Sequence, residues 1–416
     1  MKYCRRCLYP ANHPLHLTFD DQGVCSGCRV HEEKDRLDWR ERKEKLGRIF
    51  DQYRSRTRQI HDCIVPVSGG RDSYFIVHLV KNVFKMHPLL VTYNKQYNTR
   101  LGIRNLAYLR ALLGADIITH TSNPEMVKKI TRETLRLRGS MYWHCLAGQT
   151  VFPVQTAVRF KIPLIVWGAH QGCDQVGMFS HLDEVEMTRK YRKEHDLMGL
   201  EAEALSALSE GRLSLSDVEP YVYPHDKELE AVGVRGIYLN NYIRWDSKAQ
   251  HELMIRDYGY EAMAQQRTFD TYNDVDCFHY SGLHDYIKYL KWGYGKVTDH
   301  ACREIRLKRL TREEGIDLVR RYHERLPAET GLFLDWIKMS EKEFWATIDL
   351  HRDPRIWERT EQGWAVKDSI LHHVTDEGIN PVRLEKVEGC DFQLTRPKDP
   401  EAVEDKYVLV GRGWVD

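Results

Sequence analysis

Long apolar runs are missing from this sequence. No stretch approaches the ~18 consecutive apolar residues that a membrane-spanning helix needs. The opening residues, MKYCRRC, carry charges with no apolar segment behind them, so a secretory signal peptide is not indicated. We therefore expect a cytoplasmic protein.

An excess of one charge sign is missing as well. The 62 Lys and Arg residues nearly equal the 61 Asp and Glu residues, and the formal net charge is +1. A protein whose main partner is nucleic acid usually has a basic face, so nucleic acid is not expected as that partner. Internal repeats and low-complexity tracts are also absent. With 416 residues, the chain is long enough for one sizeable core domain with smaller attachments.

The ten cysteines are not spaced like a disulfide framework. Four of them form two CxxC knuckles, Cys4, Cys7, Cys25 and Cys28. Two such knuckles supply four thiolates that can close a tetrahedron around a structural Zn²⁺, and an iron–sulfur cluster is the alternative. The six single cysteines are expected to be small buried hydrophobic residues.

The order of apolar patterns predicts the fold class. Short apolar runs at 62–67, 89–93, 115–120 and 163–167 alternate with segments of helical periodicity. Strands that alternate with helices imply an α/β protein with a doubly wound parallel sheet. Six units are predicted on this basis: a zinc knuckle (1–33), a connecting helix (34–60), the sheet domain (61–200), a linker or helical insertion (201–230), a mostly helical substrate-binding part (231–350) and a C-terminal extension (351–416), in which a small hairpin is expected from about residue 377.

The strongest catalytic signal is the hexapeptide SGGRDS at 68–73, which lies between an apolar run and an amphipathic helix. Gly69 and Gly70 allow the backbone to approach an anion, and the helix adds its positive N-terminal end. Ser68 and Ser73 offer hydroxyl donors to phosphate oxygens. Asp72 cannot itself bind a phosphate favourably, so its presence predicts a bridging Mg²⁺. The Walker A pattern is absent.

This strand, loop and helix resemble the PP-loop of the ATP-pyrophosphatase superfamily. The resemblance implies that the loop, including Arg71, binds ATP, with Tyr93 and Gly168 at the ends of later strands as adenosine contacts. Asp174 is a candidate second Mg²⁺ ligand. Gly168 as a plain turn glycine and Asp174 as a solvated loop acid are the alternatives.

Most of the chain, to about residue 350, also resembles the N-acetyl sugar amidotransferases of the WbpG/PseA type. The matching stretches are the knuckles, PVSGGRDS, and the segments at 97–117, 236–247 and 278–319. The last segment is the most specific, because a generic PP-loop domain does not require KWGYG at 291–295 followed by TDH at 298–300.

That last segment already has the features of a site. An aromatic surface between two glycines suits a sugar or base, Asp299 and His300 are titratable, and Arg303 and Arg306 could meet a diphosphate or carboxylate. A packed loop with Thr298 or Asp299 as a helix cap is the alternative. The resemblance assigns substrate binding to Lys291, Gly293, Tyr294, Gly295, Thr298 and Arg303, and catalysis to Ser68, Asp72, Asp299 and His300.

The resemblance implies a two-step reaction that uses ATP. An acetamido oxygen attacks the α-phosphate, and ammonia then displaces AMP to leave an acetamidino sugar for a surface glycan, such as a lipopolysaccharide O-antigen or a nonulosonate. The glutaminase pattern G-x-C-x-G is absent, so a HisH-like glutaminase and a HisF-like ammonia-channelling subunit are implied as partners. The alternative function is a PP-loop tRNA sulfurtransferase, for which Cys145 and Cys173 are the candidate thiols.

Overall fold

Five parallel strands form the central sheet of the computed structural model, which describes residues 1–55, 61–277, 280–379 and 392. The order across the sheet is β3-β2-β1-β4-β5. The strands are β1 (Cys63–Pro66), β2 (Pro88–Tyr93), β3 (Ile117–His120), β4 (Leu164–Trp167) and β5 (Arg235–Tyr238). All four neighbouring pairs are parallel, which confirms the predicted α/β class.

Helices cover both faces of this sheet and form most of the chain after it. In chain order they are α1 (Ser26–Glu33), α2 (Trp39–Tyr53), α3 (Arg71–Val77), α4 (Arg100–Leu113), α5 (Pro124–Arg138), α6 (Trp143–Phe160), α7 (Gln171–Asp174), α8 (Arg189–Tyr191), α9 (Ala202–Leu208), α10 (Leu215–Val218), α11 (Asp226–Val232), α12 (Ser247–Tyr258), α13 (Asp285–Trp292), α14 (Lys296–Arg306), α15 (Arg312–Tyr322), α16 (Thr330–Ile337) and α17 (Glu341–Asp349). A hairpin of β6 (Trp357–Thr360) and β7 (Gly363–Val366) follows.

Strand residues alternate between two buried layers. Val65 and Val166 pack with α2, α3 and α12 on one face, whereas Ile64 and Ile165 pack with α6 on the other. Successive side chains of a strand point to opposite faces, so a strand that is covered on both sides reads as a continuous apolar run. That is why β1, β2 and β4 could be located from the sequence, whereas the edge strand β3 is only partly buried and was located by its short apolar run.

The fifth strand was missed. The sheet domain was predicted to end at residue 200. In the structure β5 (Arg235–Tyr238) pairs with β4, so the sheet continues after the helices α9 to α11. The segment RGIY contains only two residues of high strand propensity and begins with a charge, so periodicity could not identify it.

The N-terminal and C-terminal parts pack together. Residues of the CxxC knuckles share one apolar cluster with α14 and α15. The hairpin expected from about residue 377 lies almost wholly outside the described residues. In the part of the chain that the structure describes, no helix has the length and apolar character needed to cross a membrane.

Candidate active site

The SGGRDS loop joins β1 to α3 at the carboxyl end of the central strand. The backbone N–H of Ser68 donates to Ser73 Oγ (2.8 Å), and the N–H of Gly70 donates to Ser68 Oγ (3.0 Å). Each hydroxyl therefore accepts a bond from the loop and keeps its own O–H available for a bound oxyanion. This geometry agrees with the predicted phosphate-binding role of both serines.

Gly69 is required by close packing of three backbone segments. A Cβ on Gly69 would lie 2.0 Å from the carbonyl oxygen of Gly102, and a Cβ on Gly102 would lie 2.4 Å from the Cα of Asp276. The loop, the start of α4 and the segment before residue 277 thus meet without side chains between them. The sequence suggested anion approach as the reason for this glycine and missed the packing.

An apolar cavity of about 230 Å³ lies beside the loop, where β2, β3 and α4 meet. Its lining includes Ser68, Gly69, Tyr93, Ile103, Leu106 and Ile117. Tyr93, a predicted adenosine contact, is buried, and its hydroxyl lies 2.8 Å from the Tyr221 hydroxyl and 3.1 Å from His144 Nδ1. Gly168 does not line this cavity but packs against Ile76 and Trp245, so the turn-glycine alternative describes it better.

A polar cavity of about 230 Å³, called the cleft below, also borders the loop. Its wall is formed by Tyr9 of the knuckle, the loop, the segment after β4, the start of α12, the segment before α13, and helix α14. Its polar residues include Tyr9, Arg71, Asp72, Asp174, Gln175, Asp274, Lys296, Asp299, His300, Arg303 and Arg306. The cleft therefore brings together the predicted Asp72, Asp174, Asp299, His300 and Arg303.

Asp72 is the loop carboxylate in the cleft. Burial raises its pKa, but the adjacent Arg71 guanidinium and His251 outweigh burial, so that the pKa lies below its ordinary value and the group is ionised. Asp274, which lines the same cleft, acts on the pKa of Asp72 in the opposite direction. Carboxylates that border one polar cleft suit a divalent cation. Asp174, the predicted second ligand, is in the cleft and forms an ion pair with Lys34.

Asp299 joins three parts of the wall. One carboxylate oxygen accepts hydrogen bonds from the Tyr9 hydroxyl (3.0 Å) and from Gln175 Nε2 (3.0 Å). The other accepts a bond from Lys288 Nζ (2.5 Å). Through these hydrogen bonds Asp299 connects α14 with the knuckle and with the loop after β4.

His300 is buried next to Asp299. Its Nδ1 lies 2.7 Å from Thr268 Oγ1, and burial lowers its pKa well below the ordinary value although Asp270 opposes this. The ring is therefore neutral at physiological pH and can accept a proton.

Other predicted substrate contacts have different positions. Lys291 and Tyr294 line a neighbouring cavity of about 250 Å³, called the middle cavity, which shares Gln171, Gln175 and Asp299 with the cleft. Gly293, Gly295 and Thr298 line neither cavity.

These three residues have structural roles. Gly293 ends α13 with φ +76°, a conformation that favours glycine. Gly295 leaves room for the Asp285 carboxylate, from which a Cβ would lie 3.0 Å away. Thr298 is completely buried in α14. These positions favour the packed-loop alternative, and the substrate contacts of the three residues stay a prediction.

A group of acids in the cavities that border the loop was not predicted from the sequence. Asp274 pairs with Lys296 (2.8 Å), and Asp276 pairs with Lys95 (2.6 Å) beside the apolar cavity. Arg303 is bound to Asp270 (2.7 Å), so its charge is already balanced within the protein. Three aspartates lie within the seven residues 270–276, but their spacing is not typical of a known motif, so the sequence did not indicate this group.

The four knuckle cysteines converge in one buried cluster. Their sulfur atoms all lie within 4.8 Å of one another. The backbone N–H groups of Cys7 and Cys25 point at Cys4 Sγ, at 3.4 and 3.3 Å, and stabilise a thiolate there. Four buried sulfurs in this arrangement suit a closed tetrahedral zinc site.

Arg306 connects this cluster to the cleft. Its Nη2 is 3.5 Å from Cys25 Sγ, and its Nη1 donates to the Gln175 carbonyl oxygen (2.5 Å). A Cβ on Gly27 would collide with the guanidinium, so only glycine fits there. The sequence suggested that Arg306 meets a substrate anion, but its charge instead offsets the thiolates of the knuckle.

The sheet order, with the SGGRDS loop at the carboxyl end of β1, defines a parallel α/β fold with an anion-binding type of loop at its central strand. Residues 266–370 match the family model described as LPS biosynthesis protein WbpG-like, C-terminal domain. This segment is thus a WbpG-like C-terminal domain, and the predicted resemblance to the WbpG-type family is confirmed for residues 266–370.

Two further proteins are similar to parts of the chain. An uncharacterized protein of Methanocaldococcus jannaschii is 24% identical over 102 residues, which are 24% of this chain. This chain spans about a third, 36%, of the length of that relative. The structure of NMN synthetase from Francisella tularensis aligns with 52% of this chain and 96% of its own, at 12% identity and a TM-score of 0.25.

Proposed function

We propose that this chain is an ATP-dependent amidotransferase of the PP-loop type, which converts the acetamido group of a nucleotide-linked N-acetyl sugar into an acetamidine for surface glycan biosynthesis. One observation carries the proposal. The loop residues Arg71 and Asp72 face Asp299 and His300 of the WbpG-like domain across a single cleft.

The two cavities beside the loop suit the two ends of ATP. The apolar cavity offers aliphatic walls to adenosine, while Ser68 and Arg71 are placed for the phosphates. Asp72 would hold Mg²⁺, with Asp174 or Asp274 as a second ligand. Bound there, the ion would neutralise charge on the departing pyrophosphate.

Adenylation solves the problem of the leaving group. The acetamido oxygen attacks the α-phosphorus, the bond to the bridging oxygen of pyrophosphate breaks, and the sugar amide loses its proton to give an O-adenylyl imidate. Ammonia then adds to the imidate carbon, the C–O bond breaks, and AMP leaves with the former acetamido oxygen. A phosphate ester leaves readily, whereas oxide does not.

Ammonia gains a positive charge as it attacks, so a nearby group must take a proton. His300 is assigned this role because it lines the cleft and is oriented by Thr268, and burial keeps its ring neutral. Negative charge on the bound reactants would raise its low pKa toward the value that a general base needs. Asp299 fixes the wall on which His300 is placed. We further propose that the ammonia comes from a HisH-like glutaminase through a HisF-like subunit, since the sequence lacks a glutaminase nucleophile motif.

The alternative, sulfur transfer to tRNA, needs a reactive thiol in the cleft. Burial raises the pKa of the Cys145 thiol well above its ordinary value and that of Cys173 to about 12. Neither residue lines the cleft. A thiol that is buried and protonated is a poor nucleophile, so this observation favours the amidotransferase.

We expect the purified chain to use ammonium but not glutamine. With ATP, Mg²⁺ and a panel of UDP- and CMP-linked N-acetyl sugars, ammonium at alkaline pH should yield AMP and a sugar whose mass differs by the replacement of oxygen by NH. Only unprotonated NH₃ can attack the imidate, so turnover should rise with pH in proportion to the NH₃ fraction. Mass spectrometry of the sugar measures this.

Adding glutaminase and channel partners should restore glutamine use near neutral pH, because a channel raises the effective concentration of NH₃. Glutamine use by the isolated chain that is lost in Cys173→Ala would contradict this account. Persulfide-dependent AMP release with tRNA, and none with ammonium, would replace it by sulfur transfer.

A further inference from the structure

A third cavity, of about 210 Å³, lies behind the end of β4 and is called the aromatic cavity. Its walls include the side chains of Trp167, His170, Tyr191, Arg192, Tyr223 and Tyr238. The His170 ring lies 4.1 Å from the Tyr191 ring and 4.5 Å from the Tyr238 ring, measured between centroids. So many rings around one space provide a surface for a flat ligand.

The polar groups of this cavity are incompletely satisfied. His170 is 1% exposed, and neither of its ring nitrogens has a hydrogen-bond partner among the described residues. The buried indole N–H of Trp167 also has none within the described part of the chain. Leaving a buried polar atom unpaired costs about 1–3 kcal/mol, so three such atoms around one cavity indicate a ligand that pairs with them.

The chemistry of these atoms points to a nucleobase. Burial lowers the pKa of His170 to about 4, so the ring is neutral and offers one donor and one acceptor. The Trp167 indole adds a second donor. A nucleobase presents ring or carbonyl acceptors together with an N–H donor on one flat group, and it stacks on aromatic side chains.

The aromatic cavity adjoins the site already described. It shares Gln171, Tyr191 and Asp196 with the middle cavity, and the middle cavity shares Gln171, Gln175 and Asp299 with the cleft. Gln175 and Asp299 are hydrogen-bonded to each other at the border of the middle cavity and the cleft. The three cavities therefore lie side by side between Trp167 and the SGGRDS loop.

The middle cavity contains a lysine that can meet a diphosphate. Lys288 and Lys291 line it together with Asp196 and Asp299. Lys288 is paired with Asp299, whereas Lys291 Nζ donates to the carbonyl oxygen of Arg138 (2.5 Å). Burial lowers the pKa of Lys291 to about 8, and an anion in the cavity would favour its charged form. Burial raises the pKa of Asp196 to about 7, so this acid can be neutral beside an anion. From the aromatic cavity to the cleft, the lining thus changes from aromatic rings to Lys291 and then to the proposed catalytic residues.

We propose that these three adjoining cavities bind the nucleotide-linked sugar, with the nucleobase in the aromatic cavity, the diphosphate in the middle cavity and the N-acetyl sugar at the cleft. The proposal rests on the proposed function, because it takes a nucleotide-linked sugar as the substrate. It makes Trp167, His170 and Lys291 determinants of carrier recognition.

Calorimetric binding of nucleosides and nucleoside diphosphates tests this without any turnover. The full chain, saturated with a non-hydrolysable ATP analogue, is titrated with UDP, GDP, CDP, ADP and uridine. We expect at least one diphosphate other than ADP to bind, and Trp167→Phe to weaken it about tenfold through loss of the N–H bond. Lys291→Met should weaken the diphosphate by a similar factor and leave the corresponding nucleoside unchanged.

Matched variants separate these effects from general damage. Trp364→Phe removes the same N–H in the β7 hairpin, and Lys227→Met removes a lysine charge on α11; neither should change binding. The proposal is overturned if no diphosphate binds, if Trp167→Phe binds as wild type does, or if ADP alone is bound and is weakened by Trp167→Phe. The last result would assign the aromatic cavity to adenine. These readouts are independent of AMP release, so the proposed reaction can fail or stand separately.

Discussion

Asp72→Asn is expected to lower AMP release by about 10²-fold or more, because the variant removes the loop carboxylate proposed to hold Mg²⁺ against the departing pyrophosphate. The carboxylate is ionised in the folded chain, and a neutral amide of the same shape cannot replace its charge. Folding should be unaffected, since the Asp72 side chain borders the polar cleft and is 38% exposed. AMP and pyrophosphate are measured by chromatography with saturating ATP.

Asp51→Asn is the matched control. Asp51 lies on α2 with a 70% exposed side chain, so its replacement should leave both activity and thermal stability as in wild type. If Asp72→Asn released AMP at nearly the wild-type rate, the loop would not be the ATP site. A loss of activity together with a loss of helical circular dichroism would instead show a folding defect, and Ser68→Ala would then serve as the second test of the loop.

Cys28→Ser is expected to remove the metal and most of the order of the N-terminal region. A structural zinc contributes its binding energy to folding, so the variant should lose one Zn²⁺ per chain and roughly 4 kcal/mol or more of unfolding free energy. Activity should fall as well, because Tyr9 of the knuckle bonds to Asp299 and Arg306 connects the sulfurs to Gln175. Elemental analysis and denaturant unfolding measure the two effects.

Cys63→Ala provides the comparison, because Cys63 is a buried cysteine of β1 that belongs to the sheet core and not to the knuckle. This variant should keep its zinc while losing some stability to a small cavity. Iron with visible absorbance in place of zinc in the wild type would contradict the zinc assignment and support the iron–sulfur alternative.

The parts of this protein that could be predicted are those with local causes. The SGGRDS loop and the CxxC knuckles each lie within a few residues, so their spacing alone indicates phosphate and metal chemistry. The connecting helix predicted at 34–60 is present as α2 (Trp39–Tyr53), whose Leu46, Ile49 and Phe50 are buried. Such a pattern can be recognised in the sequence because all of its residues lie within one helix, loop or knuckle.

The parts that could not be predicted depend on which distant segments meet. Gly69 is packed against Gly102 and Gly102 against Asp276, a relation that no spacing encodes. Arginine is a residue type that often binds phosphate, but the Arg306 guanidinium contacts the cysteine cluster, because α14 packs on the knuckle. Gly293 and Gly295 were predicted to contact substrate. In the structure Gly293 ends a helix and Gly295 lies in close contact with Asp285.

The central claim is that the acetamido oxygen becomes an oxygen of AMP, and isotope transfer tests it most directly. A nucleotide-linked N-acetyl sugar carrying ¹⁸O in its acetamido group is turned over with ATP, Mg²⁺ and ammonium, and AMP and pyrophosphate are examined by mass spectrometry. The account predicts ¹⁸O in the phosphate of AMP, none in pyrophosphate, and none in the sugar product. AMP without the label would show that the amide oxygen is never adenylated, and would contradict the account.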